Sequence, residues 1–245
     1  MASKAPGQCC AQGFRHEGEA KGTISEFGGV ESYLVGDKSS SKVLLFLTDV
    51  IGHKFINAQL LADQFAESGY YVVMPDLFKG DPVPLNPPEG FDLLKTWFPG
   101  HVPEITKPIV TSVIDAIHSE LKPKYVVATG YCFGAKYAVQ LLGEKKIQAA
   151  GIAHPSFVTI DEVKAIKGPL FIAGAETDTI YTEDLRRQTE DTLREIKATF
   201  RTTFNSGVVH GFAVRADLND TVAKKAKERA FCDMVDWFEQ FAPSA

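Results

Sequence analysis

The chain has 245 residues, of which 44% are hydrophobic and 23% are charged, as expected for one folded domain of ordinary composition. Its 26 basic and 31 acidic residues give a net charge of −5 without a basic stripe, so we expect no nucleic-acid partner. The chain has neither a run of about 18 apolar residues nor the apolar core of a secretory signal, so we expect no membrane partner and a cytoplasmic location.

The first 22 residues are small, polar and rich in glycine, and they show no periodicity. We predict an extended N-terminal arm on the surface of a single domain that spans residues 1–245. The arm contains the adjacent cysteines Cys9 and Cys10. Adjacent cysteines form strained disulfides, so we interpret this pair as two free thiols rather than a redox pair.

The four cysteines of the chain lack a repeated C-x-x-C spacing, so we expect no metal site and no cofactor. Four thiols in a chain without an export signal fit a reducing, cytosolic compartment.

Apolar strand patterns alternate with helical patterns from residue 42 onward. The predicted strands are 42–49, 70–76, 124–130, 148–154, 169–175 and 199–205. The predicted helices are 54–68, 104–120, 134–143, 182–197 and 219–241. This alternation indicates an α/β fold with a mostly parallel central sheet and helices on both faces.

Residues 77–103 interrupt this regularity with six prolines, Trp97 and Phe98. We predict a long ordered loop with one short helix. Loops of this length often form lids or pocket walls, so the two aromatic residues are candidates for the wall of a substrate pocket.

The most informative motif is "GYCFG", in which Cys132 follows a predicted strand and precedes a predicted helix. A tight strand–turn–helix would hold Cys132 in a strained conformation, and Gly130 and Gly134 would allow close backbone packing. The helix N-terminus favours a thiolate, and the N–H of Phe133 is placed to stabilise an oxyanion. The alternative is a structural cysteine, because free cysteines are commonly buried.

A nucleophile needs a base and an orienting acid. Asp178 in "GAETD" ends one predicted strand, and His210 in "SGVVHGF" follows another. The order Cys132, Asp178, His210 matches the nucleophile–acid–base order of the α/β-hydrolase fold.

Two residues compete for these roles. Glu176 is an alternative acid, but we prefer Asp178 because it lies beyond the apolar run. His154 also follows a strand, but it precedes the acid in the chain, so we interpret it as a structural loop histidine.

Several segments resemble the dienelactone hydrolase family, whose members are compact α/β-hydrolases with a Cys-Asp-His triad. The similar segments are "LTDVIG", "YVVMPDLF", "GYCFGAKYA", "GAETD" and "VHGFAVR". The resemblance extends from about residue 25 to the end of the chain. The arm "GQCCAQGFRHEGEAKG" resembles the eukaryotic, and particularly the fungal, branch.

The resemblance implies that Cys132 attacks an ester or lactone carbonyl, that His210 transfers the proton and that Asp178 orients His210. It also implies that the N–H of Val50 is the second oxyanion donor. Asp49 stands where the family has an activating glutamate; it either has the same role or is a loop carboxylate.

A family arginine that holds the substrate carboxylate lies four residues after the histidine. That position is Val214 here, and Arg215 comes next. Arg215 is a candidate to reach an anionic substrate, but we expect a surface role for it. The candidate residues for activation or for the substrate pocket are Asp49, His53, Trp97, Tyr131, Phe212 and Arg215.

Together these patterns predict a hydrolase that cleaves a small-molecule ester or lactone through a thioester on Cys132. Two alternatives stay open: a non-hydrolytic protein that responds to oxidants or electrophiles, and a thioesterase or tailoring hydrolase of secondary metabolism. The expected partner is a small-molecule substrate, and the sequence leaves the oligomeric state open.

Overall fold

The computed structural model describes residues 1–243, within which eight strands form one sheet in the order β1-β2-β4-β3-β5-β6-β7-β8. The strands are β1 Thr23–Phe27, β2 Val30–Val35, β3 Lys42–Leu47, β4 Tyr71–Pro75, β5 Tyr125–Tyr131, β6 Ala149–Ala153, β7 Leu170–Thr177 and β8 Phe200–Val209. All neighbouring pairs from β4 to β8 are parallel, as predicted.

β1 and β2 are not among the predicted strands. They form an antiparallel hairpin across Gly28 and Gly29, and β2 continues antiparallel onto β4. Four of the five β1 side chains are exposed, so this edge strand lacks the apolar run that marks the buried strands.

Helices cover both faces of the sheet. They are α1 Ile56–Glu67, α2 Pro103–Ala116, α3 Gly134–Gly143, α4 Ile160–Ala165, α5 Glu183–Glu195, α6 Phe212–Arg215 and α7 Thr221–Gln240. On one face, Phe65 of α1 packs against Phe231 of α7, with ring centroids 4.8 Å apart. On the other face, Lys107 of α2 lies 2.8 Å from Glu144 at the end of α3. The five predicted helices are present, whereas the short helices α4 and α6 were not predicted.

The proline-rich connection 77–103 has little regular structure, as predicted. One π turn (Leu93–Trp97) leads into one 3₁₀ turn (Phe98–Gly100). Trp97 stacks on His101 with ring centroids 4.1 Å apart, and its Nε1 donates to the carbonyl of Asp81 at 2.7 Å. These contacts order the segment.

The N-terminal arm does not simply lie on the surface, so that part of the prediction is wrong. Ala2, Ser3, Cys10 and Ala11 are buried, and a 3₁₀ turn spans Gln8–Ala11. Hydrogen bonds at irregular intervals hold the arm; one of them joins the N–H of Phe14 to the carbonyl of Arg215 at 3.1 Å. A segment held in this way needs no apolar periodicity, which is why its burial could not be seen in the sequence.

None of the helices within residues 1–243 combines the length and the apolar character that a transmembrane span requires.

Candidate active site

Cys132 lies in the turn between β5 and α3 with a φ of 49°, a left-handed conformation that non-glycine residues seldom adopt. A Cβ atom at Gly134 would lie 2.2 Å from the carbonyl oxygen of Leu47, and one at Gly130 would lie 2.7 Å from Cα of Ala135. Both flanking glycines are therefore required by close backbone packing. The motif predicted this local geometry.

The structure brings Asp178 and His210 together at the same edge of the sheet. Asp178 Oδ2 lies 2.8 Å from His210 Nδ1, and the other oxygen accepts the N–H groups of Ile180 and Tyr181. The competing acid Glu176 is exposed and accepts the N–H of Gly207 at 2.7 Å. Of the two carboxylates, Asp178 is thus the one that can fix the orientation of the His210 ring.

The charges around Cys132 and His210 favour an ion pair. Burial lowers the pKa of His210, but the Cys132 sulfur and the Asp178 carboxylate together raise it to about 10. Burial raises the pKa of Cys132, but a hydrogen bond from the Cys10 thiol and the positive charge of His210 bring this pKa well below its usual value. These interactions favour a Cys132 thiolate and a His210 imidazolium. In the described structure, Cys132 Sγ lies 3.6 Å from Ser156 Oγ, and it is Cys10 Sγ that lies within hydrogen-bond reach of His210 Nε2.

Two backbone N–H groups near Cys132 are available as donors. Neither the N–H of Val50 nor that of Phe133 donates a hydrogen bond to an acceptor within residues 1–243. The N–H of Gly134 donates to the carbonyl of Thr48 at 3.0 Å, which ties the turn after β5 to the loop after β3. The two predicted oxyanion donors thus lie on loops that are joined to each other.

Arg215 is only 2% exposed and forms an ion pair with the buried carboxylate of Asp49, so the expected surface role for this arginine is wrong. The guanidinium of Arg215 fits because residue 211 is a glycine. A Cβ atom added to Gly211 would lie only 2.2 Å from Arg215 Nη2. Asp49 also accepts the N–H of Ile51 at 3.0 Å, as expected of a loop carboxylate. Burial raises the pKa of Asp49, and the guanidinium acts in the opposite direction. The positive charge of Arg215 in turn helps to lower the pKa of Cys132.

The arm brings two thiols, which were not predicted site residues, next to the site. Cys10 Sγ lies 3.5 Å from His210 Nε2, and Cys9 Sγ lies 3.5 Å from Thr179 Oγ1. Both thiols are free, as predicted. Their proximity to His210 could not be foreseen because about 200 residues separate them along the chain; the unusual Cys-Cys pair was the only sequence signal.

A cavity of about 430 Å³ lies beside His210. Its walls include Cys9, Phe14, Thr179, Phe212 and Arg215. Phe212 and Arg215 therefore line a cavity, as their candidate role requires. Cys132 is fully buried and does not open onto it.

Trp97 and Tyr131 do not line this cavity. Trp97 packs edge-on against Phe133, with ring centroids 5.8 Å apart. The Tyr131 hydroxyl lies 3.6 Å from Met234 Sδ in the core. Both aromatic residues support the turn around Cys132 through packing.

His53 lies between two carboxylates, with Nε2 3.1 Å from Glu31 and Nδ1 3.7 Å from Asp76. This is one of two groups of metal-ligand type within residues 1–243; the other is Cys9, Cys10 and His210. In the first group, Lys54 Nζ already neutralises Glu31 at 2.7 Å, and Asp76 accepts two backbone N–H groups. These carboxylates already have partners, and the group is poorly suited to a cation.

His154 is fully buried, and its ring centroid lies 5.0 Å from that of His210. Within residues 1–243, neither of its ring nitrogens has a hydrogen-bond partner. Burial lowers its pKa well below the usual value, so the ring is neutral. A neutral ring without a polar partner fits the expected structural role.

Comparisons with known proteins give a consistent result. A sequence model of the dienelactone hydrolase family matches residues 30–242. Hydrolase tropI of Talaromyces stipitatus is 44% identical over 98% of this chain and 98% of its own length. Dienlactone hydrolase 1 of Gibberella moniliformis is 34% identical over 94% of this chain and 92% of its own. In fold, the solved dienelactone hydrolase of Anabaena variabilis matches with a TM-score of 0.66 at 14% identity, covering 93% of this chain and all (100%) of that one.

Proposed function

This chain belongs to the dienelactone hydrolase family and is an ester-hydrolysing enzyme with an α/β-hydrolase fold, and we propose that it opens a small ester or lactone through a thioester on Cys132. The observation that carries the proposal is the hydrogen bond of 2.8 Å between Asp178 and His210 beside the strained turn of Cys132. A cysteine outside a catalytic site would not need an imidazole oriented by a buried carboxylate.

In the first step, the Cys132 thiolate attacks the substrate carbonyl. The new C–S bond places negative charge on the carbonyl oxygen, and the free N–H groups of Val50 and Phe133 stabilise that charge. The tetrahedral intermediate then collapses, and the C–O bond to the alcohol or enolate breaks. Protonated His210 supplies the proton that this leaving group takes.

In the second step, neutral His210 removes a proton from water, and the resulting hydroxide attacks the thioester carbonyl. The C–S bond breaks, which releases the acid and restores the thiolate. Asp178 keeps Nε2 of His210 directed toward the reacting groups by holding Nδ1.

The substrate class follows from the nucleophile. A thiolate is itself a good leaving group, so its adduct reverts unless the departing oxygen is also a good leaving group. Lactones that release an enolate, and aryl esters, meet this condition. Amides do not.

The cavity beside His210 is the proposed position of the substrate, with Phe212 as an apolar wall and the guanidinium of Arg215, paired with Asp49, at its edge. Because Cys132 has no exposed surface, a substrate carbonyl reaches its sulfur only after part of the surrounding structure moves. The segment that we propose to shift is the arm, whose Cys10 thiol is hydrogen-bonded to Cys132.

The experiment is a hydrolysis panel of lactones, aryl esters, thioesters and anilides. It compares the wild type with Cys132→Ser, Cys132→Ala and a matched control, Cys232→Ala, whose thiol is exposed on α7. We expect turnover of activated esters by the wild type and the control, and an acyl adduct on Cys132 by intact-protein mass spectrometry. Unchanged turnover in Cys132→Ala would overturn the proposal.

A further inference from the structure

We propose that Cys9, Cys10 and His210 form a binding site for a thiophilic divalent cation such as Zn²⁺, and that occupation of this site inhibits hydrolysis. The first half of the proposal concerns the three ligands only. The second half rests on the proposed role of His210 in hydrolysis.

The spacing of the donor atoms fits a tetrahedral ion. The two sulfurs and the imidazole nitrogen lie within 4.8 Å of one another. An ion bound at about 2.3 Å to sulfur and about 2.0 Å to nitrogen places these two atoms about 3.5 Å apart. Cys10 Sγ and His210 Nε2 are already separated by 3.5 Å. The other two pairs, at 4.8 Å or less, need to approach by about 1.3 Å at most, which side-chain rotation can supply.

The contact between His210 and Asp178 also resembles the carboxylate–histidine pairs found at zinc sites. A metal-bound histidine commonly donates its second ring N–H to a carboxylate, which fixes the tautomer and strengthens the ligand. His210 Nδ1 lies 2.8 Å from Asp178 Oδ2, so Nε2 is the nitrogen directed toward the two thiols. The carboxylate–imidazole pair that would serve catalysis is therefore equally suited to metal ligation.

Charge and access are compatible with binding. On coordination each thiol and the protonated Nε2 of His210 release their protons to solvent, and the two thiolates offset the two positive charges of the ion. The nearby guanidinium of Arg215 is paired with Asp49, so its charge is already offset. Cys9 is half-buried and lines the cavity beside His210, which gives a hydrated ion a route inward and leaves solvent as its fourth ligand.

The bound ion would inhibit hydrolysis because of the atom that it coordinates. An ion on Nε2 occupies the nitrogen that would transfer protons in both steps of hydrolysis. The site would therefore compete with catalysis rather than assist it.

The direct test is a titration of the reduced, metal-free full chain with Co²⁺, followed by the absorption of the cobalt–thiolate bonds. Zn²⁺ affinity is then measured by competition with a coloured chelator. We expect one equivalent per chain, and no thiolate–cobalt absorption in Cys10→Ser or in His210→Asn. Asp178→Asn should weaken Zn²⁺ binding by about 10- to 100-fold because the ligand loses its outer partner.

Two controls identify the ligands. Cys132→Ser and Cys232→Ser should bind Co²⁺ like the wild type, and Cys9→Ala tests the second thiol without adding a polar group. Circular dichroism shows that each variant is folded. Wild type without binding, binding unchanged in folded Cys10→Ser, or binding lost in Cys132→Ser would each overturn the site.

The proposed inhibition by the bound ion is tested separately, by measuring ester hydrolysis. Zn²⁺ should suppress aryl ester turnover by wild type and by Cys232→Ser, and the loss should be reversed by a chelator. Full turnover with the ion bound would overturn inhibition. If the wild type hydrolyses no ester, the proposed function fails, but the cobalt titration still decides whether the site exists.

Discussion

The guanidinium of Arg215 and the carboxylate of Asp49 form an ion pair that is buried beside Cys132. Removing one member of a buried pair leaves the other charge unpaired, which destabilises a protein by about 3–5 kcal/mol. We therefore expect Asp49→Asn and Arg215→Gln each to lower the free energy of unfolding by roughly that amount, measured by urea denaturation. The double variant should be more stable than either single variant. Equal or additive losses would contradict a direct pairing.

The same two variants should shift the titration of Cys132 in opposite directions. Arg215 helps to lower the pKa of Cys132, so Arg215→Gln should raise this pKa and move the acid limb of kcat/KM to higher pH. Asp49→Asn leaves the guanidinium uncompensated and should move the acid limb to lower pH. The thiolate absorbance near 240 nm gives an independent reading, with Cys132→Ser as the blank. Shifts in the same direction would show that the effect is structural rather than electrostatic.

The pH dependence of the unmodified enzyme follows from the two pKa shifts. The thiolate is present above the lowered pKa of Cys132, and the imidazolium is present below the raised pKa of His210, about 10. We expect kcat/KM to rise at a pH below the usual range of thiols, to stay level through neutrality and to fall near pH 10. In Asp178→Asn, His210 loses the carboxylate that helps to raise its pKa, so the alkaline limb should move to lower pH. An alkaline limb that does not respond to this change would remove His210 from the assignment.

These features differ in how far the sequence predicts them. The buried strands and the tight turn at Cys132 can be predicted from short segments of sequence. An apolar run indicates a buried strand, and two glycines that flank one residue indicate a tight turn. The edge hairpin, β1 and β2, mixes polar and apolar residues and has no long apolar run, so it gives no such signal. Arg215 was expected at the surface because its partner, Asp49, lies 166 residues away. The arm was misjudged for the same reason: Cys10 is buried against His210, and no pattern within residues 1–22 indicates that contact.

His154 offers a test of catalytic against structural histidines. Neither of its ring nitrogens has a partner within residues 1–243, so its burial carries an uncompensated desolvation cost of about 1–3 kcal/mol. We expect His154→Phe to keep kcat/KM within about threefold of wild type and to unfold at an equal or higher free energy, since an apolar ring removes that cost. His210→Asn is the comparison variant and should lose nearly all activity. A large loss of activity in folded His154→Phe would return His154 to the list of candidate bases.

The arm can be loosened at one position without altering any thiol. Gly13 has a φ of 149°, and a Cβ there would lie 2.5 Å from Cβ of Arg215 and 2.9 Å from its carbonyl oxygen. Gly13→Ala should therefore push the arm away from Arg215, whereas Gly29→Ala is a matched control at positive φ with no atom within 4 Å of the added Cβ.

If the arm covers the site, Cys10 and Cys132 should react with a thiol reagent faster in Gly13→Ala than in Gly29→Ala. Hydrogen exchange across residues 8–16 should rise in parallel, because the bond from the N–H of Phe14 to the carbonyl of Arg215 weakens as the arm moves away. Both glycine variants lose some stability from strained φ, so the comparison between them isolates the steric effect. Equal thiol reactivity in the two variants would show that the arm is a fixed part of the fold, and that substrate reaches Cys132 by another route.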